Sequence, residues 1–203
     1  MVARPLRFAL IAALTATALP AMAQLASGSP GYQFLEAVRG DKGSEVTAIL
    51  SKPGTRIINT QDPTTGEGAL HIVVKRGDAV YVRYFLAQPG IDPNLKDNRG
   101  NTPLLLAVRG GHTDLIEILL GAKANANIAN SDGDIPLILA VMRRDTDMVR
   151  ILIDGGADPD KTDRAGLSAR DVAISNATRD RAMADLFAAI PKKARRAVSG
   201  PTL

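Results

Sequence analysis

The chain contains no cysteine and no tryptophan, and its 203 residues include only four Phe and three Tyr. Without cysteine there are no disulfides, no thiolate nucleophile and no thiolate metal centre, so stability has to come from packing alone. Hydrophobic residues make up 45% of the chain and aromatics only 3%, which predicts a core of Leu, Ile, Val and Ala. Histidine is almost as scarce: His71 and His112 stand far apart with no third His, which argues against a zinc site or a His-based triad. The motifs Gly-x-Ser-x-Gly, Gly-x-x-x-x-Gly-Lys and His-Glu-x-x-His are missing too. The acidic stretch "DGGADPDKTD" (154–163) lacks the central Gly and closing Glu of a calcium loop and reads as a solvated turn. These absences predict no cofactor, no metal and no catalytic site.

Charge is uneven along the chain. The formal net charge is +4 and the pI about 9.6. However, Arg4 and Arg7 lie near the start, and Lys192, Lys193, Arg195 and Arg196 lie near the end; residues 24–190 keep 19 basic against 21 acidic residues. The body is slightly acidic, so nucleic acid is not an expected partner. Residues 1–23 combine Arg4 and Arg7, an apolar run from Phe8 to Leu19, and Ala21-Met22-Ala23. This is the pattern of a cleaved secretory signal, with a mature chain starting at Gln24 in the periplasm or outside the cell. The run is too short to span a bilayer, and no later run is longer, so no transmembrane segment is expected after cleavage. Residues 24–31 read as a linker, and residues 191–203 as a basic disordered tail.

What the chain does have is a period. Gly100, Gly133 and Gly166 recur every 33 residues, as do Pro103 with Pro136 and Leu104 with Leu137. "GNTPLLLAV", "GDIPLILAV" and "GLSARDVAI" share one phase, and "LIEILLGAKANAN" and "MVRILIDGGADPD" repeat behind the first two. Five units fit residues 32–190, as 32–59, 60–94, 95–127, 128–160 and 161–190. Each predicts two helices. Thr102 can cap a helix opened by Pro103, Leu104, Ala107 and Val108 share one face, and Gly110-Gly111 ends it. Leu115, Ile116, Leu119 and Leu120 supply the stripe of a second helix.

The period and the Gly-x-Thr-Pro-Leu…Ala pattern of residues 100–107 resemble the ankyrin repeat, here in what looks like an exported protein of bacterial type. The resemblance implies an all-α solenoid of about five helix-turn-helix units with projecting β-hairpin turns. It implies a structural His71 bonded to the neighbouring turn, and outer units with charged faces: Glu36, Arg39, Asp41, Lys42 and Glu45 at one end, and Arg170, Asp171, Arg179, Asp180 and Arg181 at the other. It also implies a non-enzymatic, monomeric protein-binding module that presents a concave groove and hairpin tips to a folded partner.

In such a unit the two residues after the first helix's Ala-Val pair face the groove. Here these are Arg39-Gly40, Lys75-Arg76, Arg109-Gly110, Met142-Arg143 and Ser175-Asn176. Lys75, Arg76, Arg109 and Arg143 therefore predict a basic stripe suited to an acidic protein surface. Asn98, Arg99 and Asp132 mark the tips. The same stripe together with the basic tail supports a competing expectation, an envelope-associated binder of anionic glycan or lipid.

Overall fold

The structure, a computed structural model, describes residues 28–52 and 57–192. Residues 1–23, read as a secretory signal, and most of 191–203, read as a basic tail, lie outside them. Ten helices are described, in five pairs: α1 (Pro30–Arg39) with α2 (Gly43–Leu50), α3 (Ala69–Arg76) with α4 (Ala79–Leu86), α5 (Pro103–Gly110) with α6 (Thr113–Gly121), α7 (Pro136–Met142) with α8 (Thr146–Asp154), and α9 (Ala169–Ser175) with α10 (Arg181–Ala189). α1 begins two residues inside the stretch read as linker, because Ser29 caps it through the Tyr32 N–H and Pro30 occupies its first turn.

The local signals act as their chemistry requires. Thr102 Oγ1 accepts from Leu105 N at 3.2 Å, Pro103 opens α5, and Gly111 closes it at φ 74°, where an L side chain would be strained. Ser168 and Asp171 cap α9 reciprocally, the Ser168 hydroxyl and N–H both bonding the Asp171 carboxylate. Asp78, Asp145 and Asp180 cap α4, α8 and α10.

The first helices stack in one row, α1 on α3 on α5 on α7 on α9, while α4, α6 and α8 form a second row behind them. Ala107 and Ala140 are fully buried in the first row, where a larger side chain would push the helices apart. Leu115, Ile116, Leu119, Met148 and Leu152 fill the space between the rows, each contributing about 1.5–3 kcal/mol of apolar burial. The middle of the core is aliphatic as expected, but its ends are not. Phe34 and Phe85 meet edge to face at 5.9 Å near one end, and Phe187 is buried at the other. The rings supply bulk where a terminal pair has a neighbour on only one side.

The expected β-hairpins do not form. Among the described residues there is no strand, and the nearest approach is a single bridge between Thr162 and Ser168. In each central turn one backbone bond closes the loop, Asp97 N to Asn101 O at 3.0 Å and Asn130 N to Asp134 O at 3.1 Å. The returning N–H is taken by a side chain instead: Asn101 N donates to Asp97 Oδ1 and Asp134 N to Asn130 Oδ1, both at 2.8 Å. A ladder needs that N–H on a facing carbonyl, so the side-chain turn stops it after one rung.

The charged end face also needs correcting. Arg170 is buried, at 3% exposure, and belongs to the packing of the last pair rather than to its outer surface.

Candidate interaction face

The C-terminal ends of the first helices line up along one edge of the array, and the side chains there are mostly exposed. The sequence places cations on this edge in four consecutive units. The structure shows that most of them already have carboxylate partners.

Lys75 Nζ lies 2.7 Å from Glu67 Oε1. Arg109 Nη2 is bonded to Asp134 Oδ2 in the next unit. Arg39 bonds Asp62 Oδ2 of the next unit at 2.6 Å and Glu36 at 2.8 Å. Burial works to raise the Asp62 carboxyl, but the Thr65 N–H, the Arg39 guanidinium and the Thr64 N–H together hold it below the ordinary carboxylate range. Arg76 is the most engaged: it donates to Val38 O at 3.0 Å and Asp78 at 2.9 Å, reaches Asp41 at 3.4 Å, and lies over the Tyr81 ring. Arg143 has no carboxylate partner among the described residues; its Nη1 donates to Arg109 O at 3.2 Å. The predicted stripe is therefore a row of ion pairs and hydrogen bonds between units, with one stripe cation left outside the pairing.

This overturns the binding modes first expected. A strip of paired charges presents no continuous basic surface to an anionic glycan or lipid, and the tips are side-chain turns rather than hairpins. Asn98 is bonded into the preceding turn, its N–H to Thr65 O at 3.0 Å and its amide to Thr64 O at 2.9 Å. Arg99 accepts at its carbonyl from Ser131 N at 2.9 Å, with an exposed side chain. Asp132 is exposed, its N–H held by Asn130 Oδ1 at 3.0 Å. Arg109 and Arg143 are in contact, and Arg99 meets the turn that carries Asp132.

A polar chain runs beneath this edge between units three and four. Asp97 Oδ2 accepts from Asn101 Nδ2 at 2.8 Å, Asn101 Oδ1 accepts from Asn130 Nδ2 at 3.0 Å, and Asn130 Nδ2 also reaches Asp134 Oδ2 at 3.0 Å. Asp134 in turn receives Arg109. His71 makes the equivalent link one unit earlier. Its Nδ1 accepts from Gly68 N at 3.1 Å, so Nε2 carries the proton and donates to Asn101 O at 3.0 Å. These bonds hold neighbouring turns in register, and no buried side-chain polar atom is left without a partner among the described residues.

Three acidic partners, Asp62, Glu67 and Asp134, were not apparent from the sequence, and neither was Arg144. A signal for Arg144 existed. It stands where units two and three have Gly77 and Gly111, and it adopts the same left-handed conformation, at φ 58°.

Among the described residues no group of three His, Asp or Glu side chains is placed to hold a metal ion, and no helix is long and apolar enough to cross a membrane. Comparison with known proteins identifies the repeat. The family profile described as "Ankyrin repeats (3 copies)" matches residues 34–129, 70–163 and 104–189, in overlapping registers. A 64-residue stretch is 39% identical to the nuclear factor NF-kappa-B p110 subunit of Drosophila melanogaster, covering 32% of this chain and 6% of that protein.

Proposed function

We propose, from the premise that the chain belongs to the ankyrin-repeat family, that it is a helical protein-interaction module whose binding face is the exposed edge of its first helices. Repeats of this family act as scaffolds rather than catalysts, and the mechanism is presentation of a preformed surface. One observation carries the reading. The edge from Lys75 through Arg109 to Arg143 is exposed, yet bonds between units three and four fix it at Arg109 and Arg143, and an ion pair within unit two holds Lys75. A surface ordered before contact loses little entropy on binding, which favours a protein partner over a flexible or diffuse one. The D. melanogaster relative is by its name a subunit, in keeping with a repeat that works in contact with other chains.

The partner contributes carboxylates at Arg143, the stripe cation without a carboxylate among the described residues, and the module acts as a monomer. Export through residues 1–23 is part of the proposal, supported by their charge, apolar run and small residues before Gln24.

The test is site-specific photo-cross-linking in the source cell, with the reactive group placed in turn at Lys75, Arg109 and Met142, and at Arg83 and Arg150 as exposed positions on second helices. Protein adducts at the first set and not at the second are expected. Equal adducts at both sets, or none at the first, would refute the proposed face.

A further inference from the structure

We infer that the edge of unit four, at Met142, Arg143 and Arg144, docks a partner segment in which a carboxylate stands next to an apolar side chain. This rests on the interaction-module reading above and assigns its contact point.

The charge on this edge changes character at unit four. Arg39, Lys75, Arg76 and Arg109 each have a carboxylate, whereas Arg143 and Arg144 have none among the described residues. The nearest acids in sequence and across the cleft, Asp145 and Asp180, aim Oδ1 at Met148 N and Met183 N and so serve the starts of α8 and α10. Two adjacent exposed guanidinium groups without a counter-ion attract an anion, and a carboxylate fits the planar fork of either.

Arg144 is held at a conformational cost. The same position is Gly77 at φ 76° and Gly111 at φ 74° in the two preceding units. A non-glycine residue in this region costs about 1 kcal/mol. Asp41, at φ 55°, replaces the glycine in unit one, and its carboxylate pairs with Arg76. Arg144 is strained in the same way and has no carboxylate partner among the described residues.

Beside Arg144 is a small opening, with the exposed Met142 in its lining. Met142 is 66% exposed at the position that carries Arg39, Lys75 and Arg109 in earlier units. It lines a cavity of about 200 Å³ together with Val141, Arg144, Ala173, Asn176, Asp180 and Met183. That volume accepts a side chain the size of Leu or Met, and a flexible thioether adapts to whichever enters. Nucleic acid or an anionic lipid headgroup would satisfy the arginines and leave Met142 uncovered; an acidic and apolar peptide segment meets both.

The experiment uses the full chain and a fluorescent dodecapeptide of repeated Glu-Leu-Ser, with Gln-for-Glu and Ser-for-Leu versions, followed by anisotropy. The acidic, apolar peptide should bind, and each altered peptide should lose about ten-fold or more in affinity. Arg143→Gln combined with Arg144→Gly should cause a similar loss, with a melting temperature no lower than that of the parent chain, so unfolding cannot explain it. Met142→Ser should also weaken binding, whereas Arg83→Gln with Arg150→Gln should not. Absence of binding at ~1 mM peptide, equal binding of the Gln version, or equal competition by oligothymidylate or phosphatidylglycerol vesicles would overturn the assignment. Cross-links at Lys75 and Arg109 without any at Met142 would overturn it while leaving the interaction-module reading intact.

Discussion

Arg170 grips Asp160 with two nitrogens, Nε to Oδ1 at 2.6 Å and Nη2 to Oδ2 at 3.2 Å, and turns its remaining nitrogen to the carbonyls of Phe187 and Ile190. One side chain thereby ties three segments together: the loop before the last helix pair, α9, and the end of α10. Arg170→Met should cost about 3 kcal/mol, the lower end for breaking a buried pair, because Asp160 is partly exposed. Arg170→Lys should recover little, since an ammonium cannot bridge both oxygens and reach two carbonyls. Urea unfolding checks the magnitude, and amide exchange should show α10 opening first. Wild-type protection of α10 in the Met variant would refute this role.

His71 predicts a pH dependence. Burial pushes its pKa below the ordinary 6.5, because a second ring proton would be desolvated and would face the Gly68 N–H. The unfolded chain then binds the proton more readily than the folded one. The contribution is complete above about pH 6.5 and is lost as pH falls from there through the lower folded value. The melting temperature should fall between pH 7 and 5, and His71→Gln should be less stable at pH 7 but flatter across that range. Asp160, held below the ordinary 3.8 by the Arg170 hydrogen bond, acts in a separate window: its contribution is lost only as pH drops below about 3.8. Parallel profiles for parent and His71→Gln between pH 7 and 5 would remove His71 from the account.

How legible these features were depended on their range. Pro103, Gly111 and Thr102 act within one turn of chain, and the spacing of Leu104, Ala107 and Val108 places the helix face directly. The 33-residue period therefore led to the all-α helix pairs. The β-hairpins were expected from the family resemblance, and whether the Asp97 and Asn130 side chains or a facing strand take the returning N–H is decided in space. Arg170 was read as surface because charge usually is; its burial depends on α10, whose packing no local pattern announces. The stripe cations lie at the ends of the first helices, and their partners follow no fixed offset. Lys75 pairs within its own unit, whereas Arg39 and Arg109 pair with the next.

Asn130 should be a coupling residue between units three and four. Its amide donates to Asn101 Oδ1 and Asp134 Oδ2, and its oxygen accepts from Asp132 N and Asp134 N. Asn130→Ala leaves buried Asn101 short of a partner and should cost about 1–3 kcal/mol. Combining it with Asn101→Ala should cost less than the sum of the two, because each removes the same bond. Strict additivity in that double-mutant cycle, measured by chemical denaturation, would show that the link carries no energy.

The pairing of the stripe changes how its function has to be tested. Reversing Lys75, Arg76, Arg109 and Arg143 to Glu together would set new carboxylates beside Glu67, Asp78 and Asp134, so lost binding could reflect a disturbed edge. The Lys75–Glu67 pair allows a cleaner design, because among the described residues the Glu67 carboxylate has no hydrogen-bond or ion-pair partner other than Lys75. Lys75→Glu alone should lower stability by about 0.5 kcal/mol, as expected for an exposed pair turned repulsive. Adding Glu67→Lys should restore the pair in reverse and return stability close to that of the parent. The exchange leaves net charge unchanged and moves the cation from the helix end to the turn. If Lys75 contacts the partner, the exchanged protein should bind more weakly, chiefly through slower association, with a reduced dependence on salt. If binding follows stability instead, falling in the single variant and recovering in the exchange, the pair is structural and the contact lies farther along the edge, toward Arg143.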